Sequence, residues 1–413
     1  MRNLLSWSGV LCWFTVLLDG YDLVVLGAVI PTLIKEQHLG FTAASATFAA
    51  TFSLVGVAVG AALSGPLADR FGRRKTLMVS VAMFSAATAV LPTAGSIAMF
   101  DVYRLIAGLG LGACMPTALT LMAEHMPPSR RALASTFTMT GYHAGAVVTS
   151  LIALVLIPNW QPLFYIAGAA GFVLLPAIWL KLPESDAYLR TRSAPSRTPL
   201  RALVQGRFLR MTLGVWAGSF MGLLLVYGLN TWLPKLMNDA GYSMSTSLTL
   251  LLVLNAGAIA GLLIAGAVAD RRGIKPTVLV WFAAAAVLLG LLSVRMSSSL
   301  VLDLLVFVTG VFVFSAQVLI YAYVTQAYPA DVRATALGLT ASVGRLGAIF
   351  GPTLTGLLII AGSAYPLGFY FFAGVAVLGA LALATVPGIE AGGGDGERVA
   401  APADHAGEKG AVG

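Results

Sequence analysis

GPLADRFGRRKT at residues 65–76 and GAVADRRGIKPT at residues 266–277 are two versions of one segment, displaced by 201 residues. Each follows one long apolar run and precedes another, so the pair marks the same joint in two successive copies of a larger unit. The next joint corresponds as well. Pro128 matches Pro329 at the same offset, and Arg131 matches Arg333 one residue later. Working outward from these anchors, apolar runs are read at 8–34, 44–64, 76–95, 100–123, 132–157, 163–182, 210–236, 245–267, 276–294, 299–327, 333–361 and 366–387. Each is long enough to cross about 30 Å of hydrocarbon. The expected fold is therefore an all-α membrane protein of twelve transmembrane helices, built as two pseudo-symmetric six-helix bundles at 1–182 and 210–387. Residues 183–209 read as a linker, rich in Arg, Ser and Pro, and the Gly/Ala-rich stretch 388–413 as a disordered tail.

Composition supports the same solvent. Of 413 residues, 58% are hydrophobic and 10% charged, a balance that a water-soluble domain of this size could not present without aggregating. The net charge of +8 does not point to nucleic acid, because the basic residues are scattered among loops instead of grouped on a helix with aromatics. On the side carrying the termini fall 20 of the 25 Lys and Arg residues, against only Lys35, Lys235 and Arg295 on the other. The positive-inside rule places both termini in the cytoplasm, and a cell inner membrane is the expected location. Arg2 and the apolar stretch to Leu18 resemble a secretory leader, but the apolar pattern continues to Pro31, so this is read as the first span. Cys12 and Cys114 both sit in apolar spans, so neither a disulfide framework nor a thiolate metal site is expected, and no cofactor is implied.

Charges inside the spans carry the functional reading. Taking Lys35 as the far end of span 1, Asp19 and Asp22 lie roughly 24 and 20 Å below it, near mid-membrane. Three residues apart, they share a helix face. A carboxylate at the bilayer centre costs about 2.5–3.5 kcal/mol on insertion scales, so it normally faces a cavity, a partner or a proton route. Low dielectric and a second acid both favour the protonated form of a carboxyl, the property a proton carrier needs. At least one of the pair is expected to carry the proton, with Asp22 favoured. Arg345 lies twelve residues beyond Arg333, about 18 Å into span 11. The repeat places its counterpart at His143 in span 5. Arginine can hold a carboxylate through two parallel hydrogen bonds, so Arg345 is the expected contact for a substrate anion, the alternative being an ion pair with Asp19 or Asp22. His143 is either a relay or substrate donor, or a neutral ring bonded to backbone. Arg104 is open to an i,i+3 pair with Asp101, or to snorkelling. The glycines after it, in RLIAGLGLG at 104–112, read as helix-packing sites.

Two polar-aromatic stripes follow helical spacing: Trp216, Phe220, Tyr227 and Asn230 in span 7, and Phe314, Gln317 and Tyr321 in span 10. Aromatic stripes commonly serve packing, but Asn230, Gln317 and Tyr321 need hydrogen-bond partners inside the membrane.

At the duplicated segment the chain resembles the major facilitator superfamily, whose signature between helices 2 and 3 is matched by Gly65, Ala68, Asp69, Arg70, Gly72, Arg73 and Arg74. That resemblance implies a conformational latch on the cytoplasmic side, formed by Gly65, Asp69, Arg70, Gly72 and Arg73 with Asp270 and Arg271 of the second copy. Gly65 would permit close helix approach and Asp69 would face the positive end of a helix in the other half. It also implies that spans 1, 4, 7 and 10 border a central path. DGYDLVVLG (19–27), YGLNTWLPKLM (227–237) and GRLGAIFGP (344–352) look more narrowly like the aromatic acid/proton symporter family. The expected function is then uptake of a small aromatic carboxylate of the benzoate, hydroxybenzoate or gentisate type with a proton, by a monomer. Asp19, Asp22 and Arg104 would couple the proton. Arg345, His143, Gln317, Tyr321, Tyr227, Asn230, Phe220 and Trp216 would hold the substrate. Rivals are a proton-coupled exporter, disfavoured by the absence of proline from TGYHAGAVV (140–148), and a sugar or organic-acid porter, suggested by LPES at 182–185 with Glu124 and Arg130. A membrane chemoreceptor would need a larger cytoplasmic segment, and a membrane enzyme would need a nucleophile, metal cluster or phosphate loop that the sequence does not display.

Overall fold

A computed structural model describes residues 6–157, 159–192, 200–360 and 365–388. The tail expected at 388–413 thus lies, after Gly388, outside the described residues, as does 193–199 of the linker. Twelve long helices are found among the described residues: α1 Trp7–Lys35, α2 Ala43–Phe71, α3 Arg73–Val90, α4 Ile97–Glu124, α5 Arg131–Leu156 and α6 Gln161–Lys181, then α7 Gly206–Asp239, α8 Met244–Arg272, α9 Ile274–Leu291, α10 Ser299–Ala327, α11 Arg333–Ile360 and α12 Leu367–Ala384. The linker is not all coil: it contains a short helix, Asp186–Arg192, and a 3₁₀ turn, Leu200–Val204.

Eleven of the twelve are long and apolar enough to cross a membrane, which makes this a multi-pass membrane protein. The exception, α5, is long enough but two-faced. Ser135, Thr136, Thr138 and Thr149 are buried against neighbouring helices, whereas Val147, Leu151 and Val155 lie exposed on its outer side. Averaging over both faces hides an outer face as apolar as that of its neighbours.

The duplicated segment departs from expectation. Spans 2 and 8 were expected to end at 64 and 267, but α2 and α8 continue to Phe71 and Arg272. What reads as a loop is a bend of one residue. Gly72 (φ 104°, ψ 149°) and Gly273 (φ 89°, ψ 144°) each bond back to Ala68 and Ala269 and hand the chain directly to α3 and α9. That backbone region is open essentially to glycine alone. The new helix also needs partners for its first amides. Glu184, of the LPES motif, supplies them for α3 by accepting from the Arg73 and Arg74 amides at 3.0 and 3.2 Å.

Within the first six helices α2 packs on α4, α1 on α5, and α3 on α4 and α6. Within the second six, α7 packs on α11, α8 on α10, and α9 on α12. The glycines of 104–112 serve this packing: a Cβ on Gly108 or Gly112 would stand 2.3 or 2.0 Å from a carbonyl oxygen of α2.

The two groups meet along α2–α11 and α5–α8, on the face where α1 begins. A Cβ on Gly65 would lie 2.3 Å from the Thr335 Cα, and one on Gly266 would lie 2.7 Å from the Leu133 Cα. Asp69 accepts from the Thr335 amide and hydroxyl at 2.8 and 2.7 Å, and Asp270 from the Ala132 and Leu133 amides at 3.0 Å each. Each carboxylate thus caps the amino end of a helix of the opposite group, where unpaired N–H groups concentrate positive potential. The seams are otherwise unequal. Arg73, fully buried, joins Asp69 (2.9 Å), Glu124 (3.2 Å) and the Ala330 carbonyl (2.5 Å), and Glu124 also holds Arg333 at 3.2 Å. At the 201-residue offset Arg73 becomes Ile274 and Glu124 becomes Thr325, so the α5–α8 seam lacks the counterparts of that pair, and Arg130 is the charge that neighbours Asp270. Arg70 and Arg271, expected in the latch, are exposed; Arg70 lies over Phe71. Glu124 and Arg333 take the places that signature matching assigned to them.

Candidate functional site

A cavity of about 440 Å³ lies between the two groups, walled by α1, α2, α4 and α5 on one side and by α7, α8, α10 and α11 on the other. Its α1 wall is Val24, Leu26, Gly27 and Ile30, in the half of that helix beyond Asp22, away from the seams described above. The wall is largely apolar, with polar groups at a few positions, the usual composition of a small-molecule site.

Arg345 enters this cavity from α11. Its Nη1 donates to the Tyr227 hydroxyl at 2.6 Å, and its guanidinium carbon stands 6.0 Å from the Tyr227 ring centre. Tyr142, Tyr321 and Asp19 are its further electrostatic neighbours. Asp19 is only 1% exposed, and neither carboxylate oxygen has a hydrogen-bond partner among the described residues. Arg345 and Asp22 are its charged electrostatic neighbours. Arg345, with one tyrosine hydrogen bond, has unused donors on the cavity wall, while Asp19, with none, is not itself a lining residue and lies buried behind it.

Asp22 is placed differently. Its Oδ2 pairs with Arg104 Nη1 at 3.0 Å and its Oδ1 accepts from the Thr88 hydroxyl at 2.8 Å, while Arg104 Nη2 donates to Ser53 at 2.9 Å. Both side chains of the pair are 0–1% exposed. Arg104 therefore pairs with Asp22 and not with Asp101 three residues before it. Arg104 reaches the cavity wall, with Asp22 behind it. Removing one partner of such a pair leaves a buried charge uncompensated, which typically costs about 3–5 kcal/mol. Asp22→Asn is expected to lower the melting temperature in detergent, and Asp22→Asn with Arg104→Met to recover most of the loss; equal melting temperatures for wild type and Asp22→Asn would contradict the pairing.

Of the other expected residues, His143, Tyr227, Asn230, Phe314, Gln317 and Tyr321 line the cavity. The His143 ring has edge contacts with Tyr142 and Phe314, at 5.7 and 5.9 Å between centres, and no hydrogen bond among the described residues. Gln317 donates to Ser219 at 3.1 Å. Trp216 and Phe220 do not reach the wall. They share the helix face of Tyr227 but lie deeper along α7, past the last wall residue Leu223, where Phe220 tilts on Phe350. Helical periodicity gives the face of a residue and leaves its depth open. Tyr142, Ser53 and Asn255 also line the site and were not anticipated. Asn255 carried a signal, being an amide inside an apolar span.

Residues 12–352 match the family described as Major Facilitator Superfamily. The benzoate transport protein of Acinetobacter baylyi is 31% identical, covering 91% of this chain and 88% of the relative. A gallate transporter of Pseudomonas putida is 33% identical over 91% and 90%, and a gentisate transporter of Corynebacterium glutamicum 34% identical over 91% and 86%. Among solved structures, the proton:xylose symporter XylE bound to 6-bromo-6-deoxy-D-glucose superposes with a TM-score of 0.75 at 19% identity, over 92% of this chain and 95% of that one, a likeness of fold alone.

Proposed function

Since this chain belongs to the major facilitator superfamily, and so to a class of transporters, not enzymes, we propose that it takes up a small aromatic carboxylate with one proton across a cell inner membrane. It does so by alternating access, with both termini in the cytoplasm and one chain as the working unit. The observation that carries this reading is Arg345 on the cavity wall beside an acid that has no hydrogen bond. Names of the relatives supply the substrate class.

Coupling follows from charge balance. With Asp19 ionised and no substrate, Arg345 has one negative partner. A substrate carboxylate arriving at Arg345 would place two anions around one cation in a low-dielectric cavity, where unbalanced charge is costly. A proton on Asp19 restores neutrality, so the loaded carrier holds anion and proton together and can reorient. Asp22, favoured from its sequence position, is engaged by Arg104 and Thr88, so Asp19 is the proton carrier and Asp22–Arg104 the fixed pair behind it. The seams on the termini face are closed, and along α1 the cavity wall lies beyond Asp22, away from them, which fits a carrier awaiting external substrate.

The LPES motif does not favour a sugar porter. Glu184 caps α3 whatever the cargo. In proteoliposomes, an inward pH gradient is expected to drive accumulation of labelled benzoate or a hydroxybenzoate, and an uncoupler to abolish it. Uptake indifferent to both would refute the coupling, and no uptake of any benzoate would refute the substrate class.

A further inference from the structure

A second polar feature of the cavity is a chain of two amides. Asn230 donates from Nδ2 to the Val226 carbonyl at 3.0 Å, and its Oδ1 accepts from Asn255 Nδ2 at 3.1 Å. That same Nδ2 also donates to the Leu251 carbonyl at 2.9 Å. Both Asn255 amide hydrogens are thereby used, and reversing the amide would set its oxygen against two other acceptors. The orientation is fixed by the network. Asn255 Oδ1 has no partner among the described residues, it is not sealed within the protein, and its residue lines the cavity. The outcome is a held hydrogen-bond acceptor presented to the space where the substrate lies.

Resting on the reading above, we propose that Asn255 selects aromatic acids bearing a ring hydroxyl, by accepting the phenolic hydrogen while Arg345 holds the carboxylate at the other end. An acceptor without hydrogens repels a carboxylate, so the two ends of the substrate cannot exchange places. Both ends are braced from one stretch of α7: Tyr227, which holds Arg345, and Asn230, which holds Asn255, lie three residues apart and share a helix face. Val226 and Phe314 supply apolar wall for the ring. A bare ring leaves the Asn255 oxygen stripped of water and unpaired, and sites built around a hydroxyl discriminate against analogues lacking it for that reason.

The test is direct binding to the purified full-length protein by calorimetry, with benzoate, 3-hydroxybenzoate, 4-hydroxybenzoate and 4-methoxybenzoate as probes. The expected result is that at least one hydroxybenzoate binds about tenfold tighter than both benzoate and 4-methoxybenzoate, the methoxy acid having similar bulk but no hydrogen to give. In Asn255→Leu the ratio of hydroxybenzoate to benzoate affinity falls to about one. The wild-type comparison stands whether or not that variant folds, and Asn255→Ser, a milder change, is expected to give an intermediate ratio. Equal wild-type affinities across the four acids, or a preference that survives in Asn255→Leu, would overturn the assignment while leaving aromatic acid transport intact. No binding of any of the four would remove the aromatic-acid substrate class and this assignment with it.

Discussion

Asp19→Asn should convert the carrier from a concentrating symporter into an exchanger. An electroneutral cycle of one anion and one proton working against a gradient of two pH units supports about 100-fold accumulation, at 1.36 kcal/mol per unit. With asparagine the residue is permanently neutral, so substrate can bind beside Arg345 without recruiting a proton. Accumulation in proteoliposomes should fall to a ratio of about one, set by equilibration alone, while counterflow of labelled against unlabelled substrate continues. Binding should also become insensitive to pH across the range in which wild-type affinity varies. Full pH-driven accumulation by Asp19→Asn would remove the coupling role. The same outcome in Asp22→Asn together with failure in Asp19→Asn would separate the two acids as proposed.

Arg345→Met should abolish recognition of the carboxylate. Truncating one partner of a desolvated, hydrogen-bonded charge pair typically costs 2–5 kcal/mol, so affinity is expected to drop on the order of 100-fold or more. Arg345→Lys keeps the charge but not the two-pronged geometry, and should recover part of the affinity. Because the methionine variant leaves Asp19 without its countercharge, the informative background is Asp19→Asn with Arg345→Met, whose cavity is neutral and whose fold should hold. Scintillation proximity binding with a labelled benzoate reads the difference. Affinity within threefold of wild type in that double variant would show that the anion is held elsewhere.

Much of this architecture is legible in the amino-acid sequence because a bilayer imposes simple rules. A segment must be about 20 residues long, apolar on its outer face and helical throughout, and these demands leave a pattern of runs and breaks. The duplicated segment supplied the register of the two halves. Charged residues in spans are similarly conspicuous, which is why Asp19, Asp22, Arg104 and Arg345 stand out in the sequence. Pairing is another matter. Nothing in the spacing of Asp22 and Arg104, 82 residues apart, announces that they meet, and the nearer Asp101 is the partner that local rules favour. Depth was also hidden: Trp216 and Phe220 occupy the right face of α7 at the wrong level. Polar cavity residues such as Ser53 and Tyr142 look, in sequence, like any hydroxyl that bonds its own helix.

In the proposed cycle, the unequal seams on the termini face would make the motion directional. One edge, along α2 and α11, is bolted by four side chains of alternating sign; the other, along α5 and α8, lacks counterparts of Arg73 and Glu124 and has Asp270 on two amides with Arg130 as its neighbouring charge. A body fastened this way parts at its weaker border first, so the least-work route runs as a skewed swing with α2 and α11 as the hinge line. Water would wedge in beside α5 and α8, and cargo would slip out through that slit before the bolted margin clears. Departure would then be lopsided even though the halves are near copies of each other, and strengthening the weak border with a matching ionic set would slow emptying more than it slows filling.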